Sequence, residues 1–388
     1  MYDVIALRKA EFPHSEEIVY LNHAGISPLP ARTHNSTQQT LAKLARNPVL
    51  FWQQEITPLL VDLKEQLARL INAHHADEIV TVTSTSTALN LVAQSISWQP
   101  GDNIAFCRLE FPANAYPWMA LAREGVETRL VPPDNGGLTV AALRPFVDER
   151  TRVVAVSSVQ FFTGHRSDLM ALGEFCRQRG ILFVVDAIQS IGHIPVDVQA
   201  MHIDVLASGG QKSILGLPGT GFLYVRDTVC EGLRPRSIHS TSTVDYLHWL
   251  RYDLTPLPGA ARFGTGTSSL VGIVALHSSL QLLMELGIPH IDAHTRALSA
   301  VAIARLTDLG LRVITPADNP GPIVTFASDR NDAATDQLIA DLQARQIFVV
   351  KHLDDAGNPH IRASFHCYNT HEEVALFVEA LGELVDSG

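Results

Sequence analysis

Residues 181–225 read ILFVVDAIQSIGHIPVDVQAMHIDVLASGGQKSILGLPGTGFLYV. An apolar run closes on Asp186, and Gln189 stands three residues further on. A second run, IDVLA at 203–207, leads to Ser208 and then to Gln211 and Lys212, lodged among glycines. Each polar residue falls just past a strand that reads as buried, and ligands of open α/β sheets sit beyond the carboxyl ends of such strands. A lysine amine able to form a Schiff base, with a carboxylate to keep a pyridine nitrogen protonated, is what pyridoxal 5′-phosphate (PLP) requires of a protein. Asp, Gln, Ser and Lys in this order predict a PLP site.

The alternation extends outward from this stretch. Apolar runs at 78–83, 103–107, 126–131, 152–159, 181–186, 203–207 and 221–225 predict strands. Helical periodicity at 88–96, 141–147 and 168–178 lies between several of them. The pattern predicts an α/β fold: a large domain with a mostly parallel seven-stranded sheet covered by helices on both faces. An apolar-periodic stretch at 268–286 leads out of it. Beyond, LRVIT, PIVTFAS, IFVV and HIRASF, with helices near 333–344 and after 371, predict a smaller α+β domain. The proline- and glycine-rich piece 254–266 marks the transition. The expected division is a large PLP-binding domain over 18–265 and a small domain formed by 1–17 and 266–388.

The bulk properties exclude several classes. With 388 residues, 46% of them hydrophobic and 18% charged, the composition is that of a globular enzyme and not of a disordered chain. Forty acidic side chains against 29 basic ones leave a net charge of −11, which argues against nonspecific binding to nucleic acid or to an anionic membrane. The opening MYDVIALRKAEFPHSEE has no signal-peptide run, and no apolar stretch is long enough to span a bilayer. Cys107, Cys176, Cys230 and Cys367 are scattered without CxxC spacing, so a cytoplasmic location is the expectation.

Other segments supply what PLP would need. Thr85, Ser86 and Thr87 precede the helix expected at 88–96, and a helix start offers free N–H groups to a phosphate. The plain alternative is an N-cap without a ligand. Phe111, Asn114 and Trp118 follow the strand NIAFC: Phe111 is suited to stacking on a pyridine ring and Asn114 to reaching its oxygen or the substrate, though both aromatics also suit a core. RFGTGT at 262–267 is a second hydroxyl-bearing glycine turn. In HIRASFHC, strand periodicity puts Arg362, Ser364 and His366 on one face and Ala363, Phe365 and Cys367 on the other. Arg362 is suited either to a bidentate grip on an α-carboxylate or to a surface ion pair. His352, His360, His366 and His371 lack the helical spacing of zinc enzymes, and no metal is expected.

Taken together, VYLNHAGISPLP (19–30), TSTSTALNLVA (83–93), EFPANAYPW (110–118), VVDAIQSIGHIPVDV (184–198), SGGQKSILGLPGTGFLYV (208–225), RFGTGT (262–267) and RASFHCYNTHEEV (362–374) resemble the class V aminotransferase (cysteine desulfurase-like) family of fold type I PLP enzymes. The resemblance implies that Lys212 carries PLP, Asp186 pairs with the ring nitrogen and Gln189 bonds the ring oxygen. Thr85 and Ser86 would hold the phosphate, with Phe111, Ser208 and Gln211 also against the cofactor. Thr267 would reach the phosphate of a neighbouring subunit in a homodimer with shared active sites. Arg362 would take the carboxylate of a small amino-acid substrate, and Asn22 and His23 would line the substrate side.

Departures from the family pattern bear on the reaction. Desulfurases carry a nucleophilic cysteine on a loop shortly before the arginine, where this chain reads FVVKHLDDAGNPHIR without one. Phe111 stands where they stack a histidine, Gln211 stands before the lysine where histidine is usual, and Gly264 replaces a common acid. The reading that results is a C–S β-lyase acting on cysteine or an S-substituted cysteine without a persulfide cysteine. An amino-acid epimerase or aminotransferase is the alternative, and a non-catalytic protein that kept the fold is a remote one. The segment 234–249, with Arg236 and His239, is a candidate for substrate selectivity or an ordinary solvated loop.

Overall fold

The computed structural model describes residues 2–245, 248 and 250–386. β1 (Val19–Tyr20) is a short strand near the start of the chain. The large sheet contains β2 (Ile79–Val82), β3 (Asn103–Cys107), β4 (Glu127–Val131), β5 (Thr151–Ser157), β6 (Leu182–Asp186), β7 (Val205–Gly209) and β8 (Gly221–Val225), in the order β2-β8-β7-β6-β5-β3-β4. β8 runs antiparallel to both its neighbours, and every other pairing is parallel.

Side-chain alternation explains why these runs lack polar interruptions. Val154, Val156, Phe183, Val185, Leu206, Phe222 and Tyr224 face one side, against Leu63 and Leu67 of the helix Thr57–Ile71, Leu172 of Leu169–Arg177, and Leu276, Leu280 and Leu283 of Leu270–Leu286. Val153, Ala155, Val184, Val205, Ala207, Leu223 and Val225 face the other, against Leu89 and Val92 of the helix Thr85–Ser95 and against Trp118. Both faces are dry over the middle of the sheet, so most positions of the central strands are apolar. The edge strands are less covered: β2 has two partly exposed positions of four, and β4 has four of its five partly or fully exposed.

Helix and strand limits differ from the sequence reading where capping and pairing decide them. The helix expected at 88–96 begins at Thr85 with Ser84 as its cap, whose Oγ accepts from the Thr87 N–H. The periodicity at 141–147 yields only the short helix Val140–Leu143 and a 3₁₀ turn. β7 starts at Val205 and continues through Ser208, which pairs with Phe222 of β8.

The smaller unit is the antiparallel sheet β11-β12-β9, formed by β9 (Ile323–Ala327), β11 (Val350–Leu353) and β12 (Pro359–Ser364). Helices Ile288–Asp308, Asp332–Ala344 and His371–Asp386 cover it around Leu298, Leu306, Leu338, Phe326, Ile361, Ala363, Phe365 and Phe377. β10 (Ile347–Phe348) pairs in parallel with β1, tying the N-terminal segment to this unit. Leu7, Phe12 and, from the helix Leu270–Leu286, Ile273, Leu276, Leu280, Leu282 and Leu283 pack in the large-sheet cluster, so packing groups these segments with the large domain where the sequence reading assigns them to the small one. Cys367, expected on the back face of β12, lies beyond its end and packs in that same cluster with Tyr368. Among the described residues no single helix is long and apolar enough to cross a membrane.

Candidate active site

The carboxyl ends of β5 and β6, the turn after β7 and the start of the helix Thr85–Ser95 surround a cavity of about 300 Å³, closed by residues of β11 and β12. Lys212, Asp186, Gln189, Thr85, Ser86, Phe111, Gln211 and Arg362, all expected from sequence, line it.

Asp186 ends β6 and is buried, with its Oδ1 accepting from the Ile188 N–H at 3.1 Å. Burial pushes its pKa up to about 6, against the pull of that N–H and of Lys212. The Lys212 amine makes neither a hydrogen bond nor an ion pair among the described residues and lies 5.3 Å from the centre of the Phe111 ring. Burial draws its pKa down to about 8; Asp186 opposes this, and Arg362 adds to it. The backbone beside Lys212 is fixed from three directions. Ser27 N–H donates to the Gln211 carbonyl, Ser213 Oγ to the Ile188 carbonyl, and His366 Nε2 meets the Ser213 carbonyl at 3.0 Å. Gly192 permits this approach: its φ is +91° and a Cβ there would stand 2.5 Å from Ser213 O.

At the other end of the cavity, Thr85 Oγ1 accepts from the Gly209 N–H at 2.8 Å, which ties the helix start to the end of β7. Ser84, which also lines the cavity, is a cap the sequence reading did not single out. The first N–H groups of this helix have no intrahelical partner, the usual setting for a phosphate.

Arg362 is almost wholly buried. One terminal nitrogen donates to the Phe161 carbonyl at 2.7 Å, its Nε is without a partner, and it joins no ion pair among the described residues. Burial draws the guanidinium down to about 10. A buried, unpaired guanidinium is costly unless an anion completes it.

Several expected positions sit elsewhere. Asn114 is fully buried and does not line the cavity; its amide nitrogen donates to Glu110 at 3.0 Å and its oxygen accepts from Trp118 Nε1 at 3.2 Å. Ser208 lies inside the sheet and donates to its neighbour's carbonyl, away from the cavity. Ala24 and Gly25 line the cavity, whereas Asn22 and His23 do not; His23 is buried against Ser27. Gln189 lines the cavity, but its amide nitrogen is engaged by the Ala24 carbonyl at 3.0 Å. Thr267 lines a separate cavity of about 230 Å³ with Trp52, Lys64 and Thr81. Arg236 forms a two-pronged pair with Glu124 at 2.8–3.0 Å, and neither it nor His239 reaches the Lys212 cavity; residues 246, 247 and 249 of that segment are outside the described residues.

Sequence reading missed Glu110, Ser157, Phe161 and His352. Glu110 is buried and accepts from Ser157 N–H, Ser157 Oγ and Asn114; burial raises its pKa to about 7. An acid three residues past an apolar strand was the available signal. His352 was visible only as one of four histidines, and among the described residues no cluster of His, Cys, Asp and Glu is placed to hold a metal.

The residues present fit PLP. A buried Asp186 with a single protein donor would be completed by a cationic ring N–H, Lys212 is a depressed and unpartnered amine, and the helix start at Thr85 is suited to receiving a phosphate. The class V aminotransferase family model matches residues 19–377. A probable cysteine desulfurase of Methanothermobacter thermautotrophicus is 31% identical, over 98% of this chain and 98% of its own. The apo structure of cysteine desulfurase from Thermococcus onnurineus superposes with a TM-score of 0.90 at 25% identity, covering 100% of this chain and 99% of that one. A cystine C–S lyase solved with its product cysteine persulfide shares the fold, with a TM-score of 0.88 at 23% identity over 96% and 99% of the two chains. The chain belongs to the class V aminotransferase family and is a PLP-dependent enzyme of fold type I.

Proposed function

We propose that this enzyme is a C–S β-lyase that acts on cysteine or an S-substituted cysteine and releases sulfur without passing it to a protein thiol. One observation carries the reading: all four cysteines are buried, and the hairpin between β11 and β12, just before Arg362, holds none. Burial also raises every one of these thiols, Cys107 and Cys176 to about 12 and Cys230 to about 11. None is an accessible thiolate.

PLP supplies the electron sink for the α-carbon, and the chain supplies the rest. Arg362 fixes the substrate carboxylate, and Lys212 Nζ, titrating near neutrality, is suited to taking and returning a proton at the α-carbon. Asp186 holds positive charge at the ring nitrogen. In the net reaction the Cβ–S bond breaks with its electron pair going to sulfur, and the thiol leaves with a proton. Water then converts the remaining three carbons to pyruvate and ammonia. The family resemblance supports a dimer in which Thr267 reaches the partner's phosphate site; within its own chain that turn lines a separate cavity.

The test is a panel of cysteine, cystine and cysteine conjugates given to the wild type and to a variant with all four cysteines changed to serine. Equal pyruvate from both, with no sulfane sulfur on the protein, is expected. No pyruvate from any substrate, or sulfur retained on the wild type alone, rejects the reading. Solvent deuterium at the α-carbon without pyruvate would identify an epimerase, and turnover that requires a keto acid would identify an aminotransferase.

A further inference from the structure

His352 lines the Lys212 cavity, yet neither ring nitrogen makes a hydrogen bond among the described residues, and its Nε2 is buried. Buried polar atoms in native proteins are nearly always satisfied, so an unpartnered imidazole in the wall of a cavity points to a group that occupies the cavity. The ring is held by edges of two aromatics, with Phe161 at 5.7 Å and 81° and Phe162 at 6.5 Å and 83°. Its orientation is therefore set before any ligand arrives.

The hairpin register explains the juxtaposition with Arg362. His352 pairs with His360 and Val350 with Arg362, so His352 and Arg362 are diagonal neighbours on one face of the antiparallel pair. A substrate carboxylate held by Arg362 therefore has an imidazole one diagonal step away. Burial keeps that imidazole neutral, and the charges of Arg362 and Lys212 add to the effect, which draws its pKa down to about 4. A neutral imidazole does not compete for the carboxylate. It offers one N–H and one lone pair to an uncharged or developing polar group.

We propose that His352 is a specificity-determining residue that hydrogen-bonds the heteroatom on the substrate's β-carbon, so that amino acids with sulfur or oxygen there are preferred over alanine. The inference rests on the amino-acid substrate and Arg362 grip of the proposed function, but not on which bond is broken. Phe111 and Phe161 supply the apolar walls beside it, with their rings 5.1 Å apart at 76°.

The experiment measures dissociation constants of the PLP-loaded enzyme for L-cysteine, S-methyl-L-cysteine, L-serine and L-alanine, from the change in the cofactor absorption band. The wild type is expected to bind the first three at least 10-fold more tightly than alanine. His352→Leu is expected to erase that preference while holding alanine within 2-fold, and His352→Asn, which keeps a donor, to restore part of it. Because the imidazole stays neutral, the wild-type preference for S-methyl-L-cysteine and L-serine, whose side chains do not titrate in this range, is expected to be level from pH 6 to 9. A wild type with no preference, a His352→Leu enzyme that keeps it, or equal weakening of all four ligands overturns the inference. If His352→Leu does not fold, His352→Phe or His352→Ala, which likewise lack a donor, carries the same comparison. Loss of discrimination in a protein that never forms pyruvate would sustain the role of His352 and reject only the lyase reading.

Discussion

Ser157 stands opposite Asp186 in the register of β5 and β6, and both its N–H and its hydroxyl donate to Glu110. Two buried carboxyls thus lie near one residue of the cavity wall; burial is the main reason Glu110 is hard to ionise, and the charge of Asp186 adds to it. Glu110 titrates at about 7 and Asp186 at about 6, above their ordinary values of 4.5 and 3.8.

In the PLP-free protein each of these two carboxyls therefore contributes stability that falls as pH rises, against the opposite contribution of the buried His23, His193, His352 and His366, whose pKa values burial lowers. Between about pH 4 and 7 each carboxyl binds more proton folded than unfolded, so its contribution is fully present below the unfolded pKa and is lost as pH passes the folded one. Each contributes on the order of 3 kcal/mol. In urea melts from pH 4.5 to 8, Glu110→Gln and Asp186→Asn should each gain stability relative to the wild type as pH rises. A difference from the wild type that stays constant over this range contradicts the assignment.

Thiol chemistry provides a second check. Native protein treated with iodoacetamide at pH 8 should take up no label at Cys107, Cys176, Cys230 or Cys367 and should keep full activity, because all four are buried and none is a thiolate. Mass spectrometry reads the labelling. Rapid modification of one cysteine with parallel loss of turnover would point to a desulfurase-type nucleophile.

Arg362 should control substrate and leave the cofactor alone. Arg362→Leu is expected to raise the dissociation constant for an amino acid about 100-fold, roughly 3 kcal/mol for a buried charge-assisted contact. PLP affinity should stay within 3-fold. Arg362→Lys should recover little, since an ammonium cannot reproduce the two-pronged geometry. Spectral titration with amino acid and with PLP separates the two effects.

The helix start can be tested through the cofactor's own chemistry. Ser84→Ala removes the cap of Thr85–Ser95 and should cost about 1 kcal/mol of stability. It should weaken PLP more than pyridoxal, which lacks the phosphate. Equal weakening of both aldehydes in a fluorescence titration would detach this helix from phosphate binding.

Much of the fold was legible because both faces of the sheet are buried. Strands such as β5 and β6 then read as continuous apolar runs, and the residue that ends one, Asp186, is conspicuous. Lys212 was legible for the same reason, set off by glycines that the close backbone approach requires. Asn114 was misread because its role depends on Glu110 and Trp118, contacts made across one turn and into the core, which composition does not reveal. Ser208 was misplaced by a two-residue error in where β7 begins and ends. His352 became meaningful only through the β11–β12 register, which sets it beside Arg362. The limits of the helix at Thr85 turned on which of several adjacent hydroxyls caps it, and Ser84 does so because its oxygen meets the Thr87 N–H.

Covalent attachment of PLP at one lysine underlies every step above. Borohydride reduction of the PLP-loaded enzyme, followed by peptide mass mapping, measures it directly. The predicted result is a single pyridoxyl-phosphate adduct on Lys212, abolished in Lys212→Ala. An adduct on a different lysine, or none in a protein that still turns over its substrate, would contradict the account.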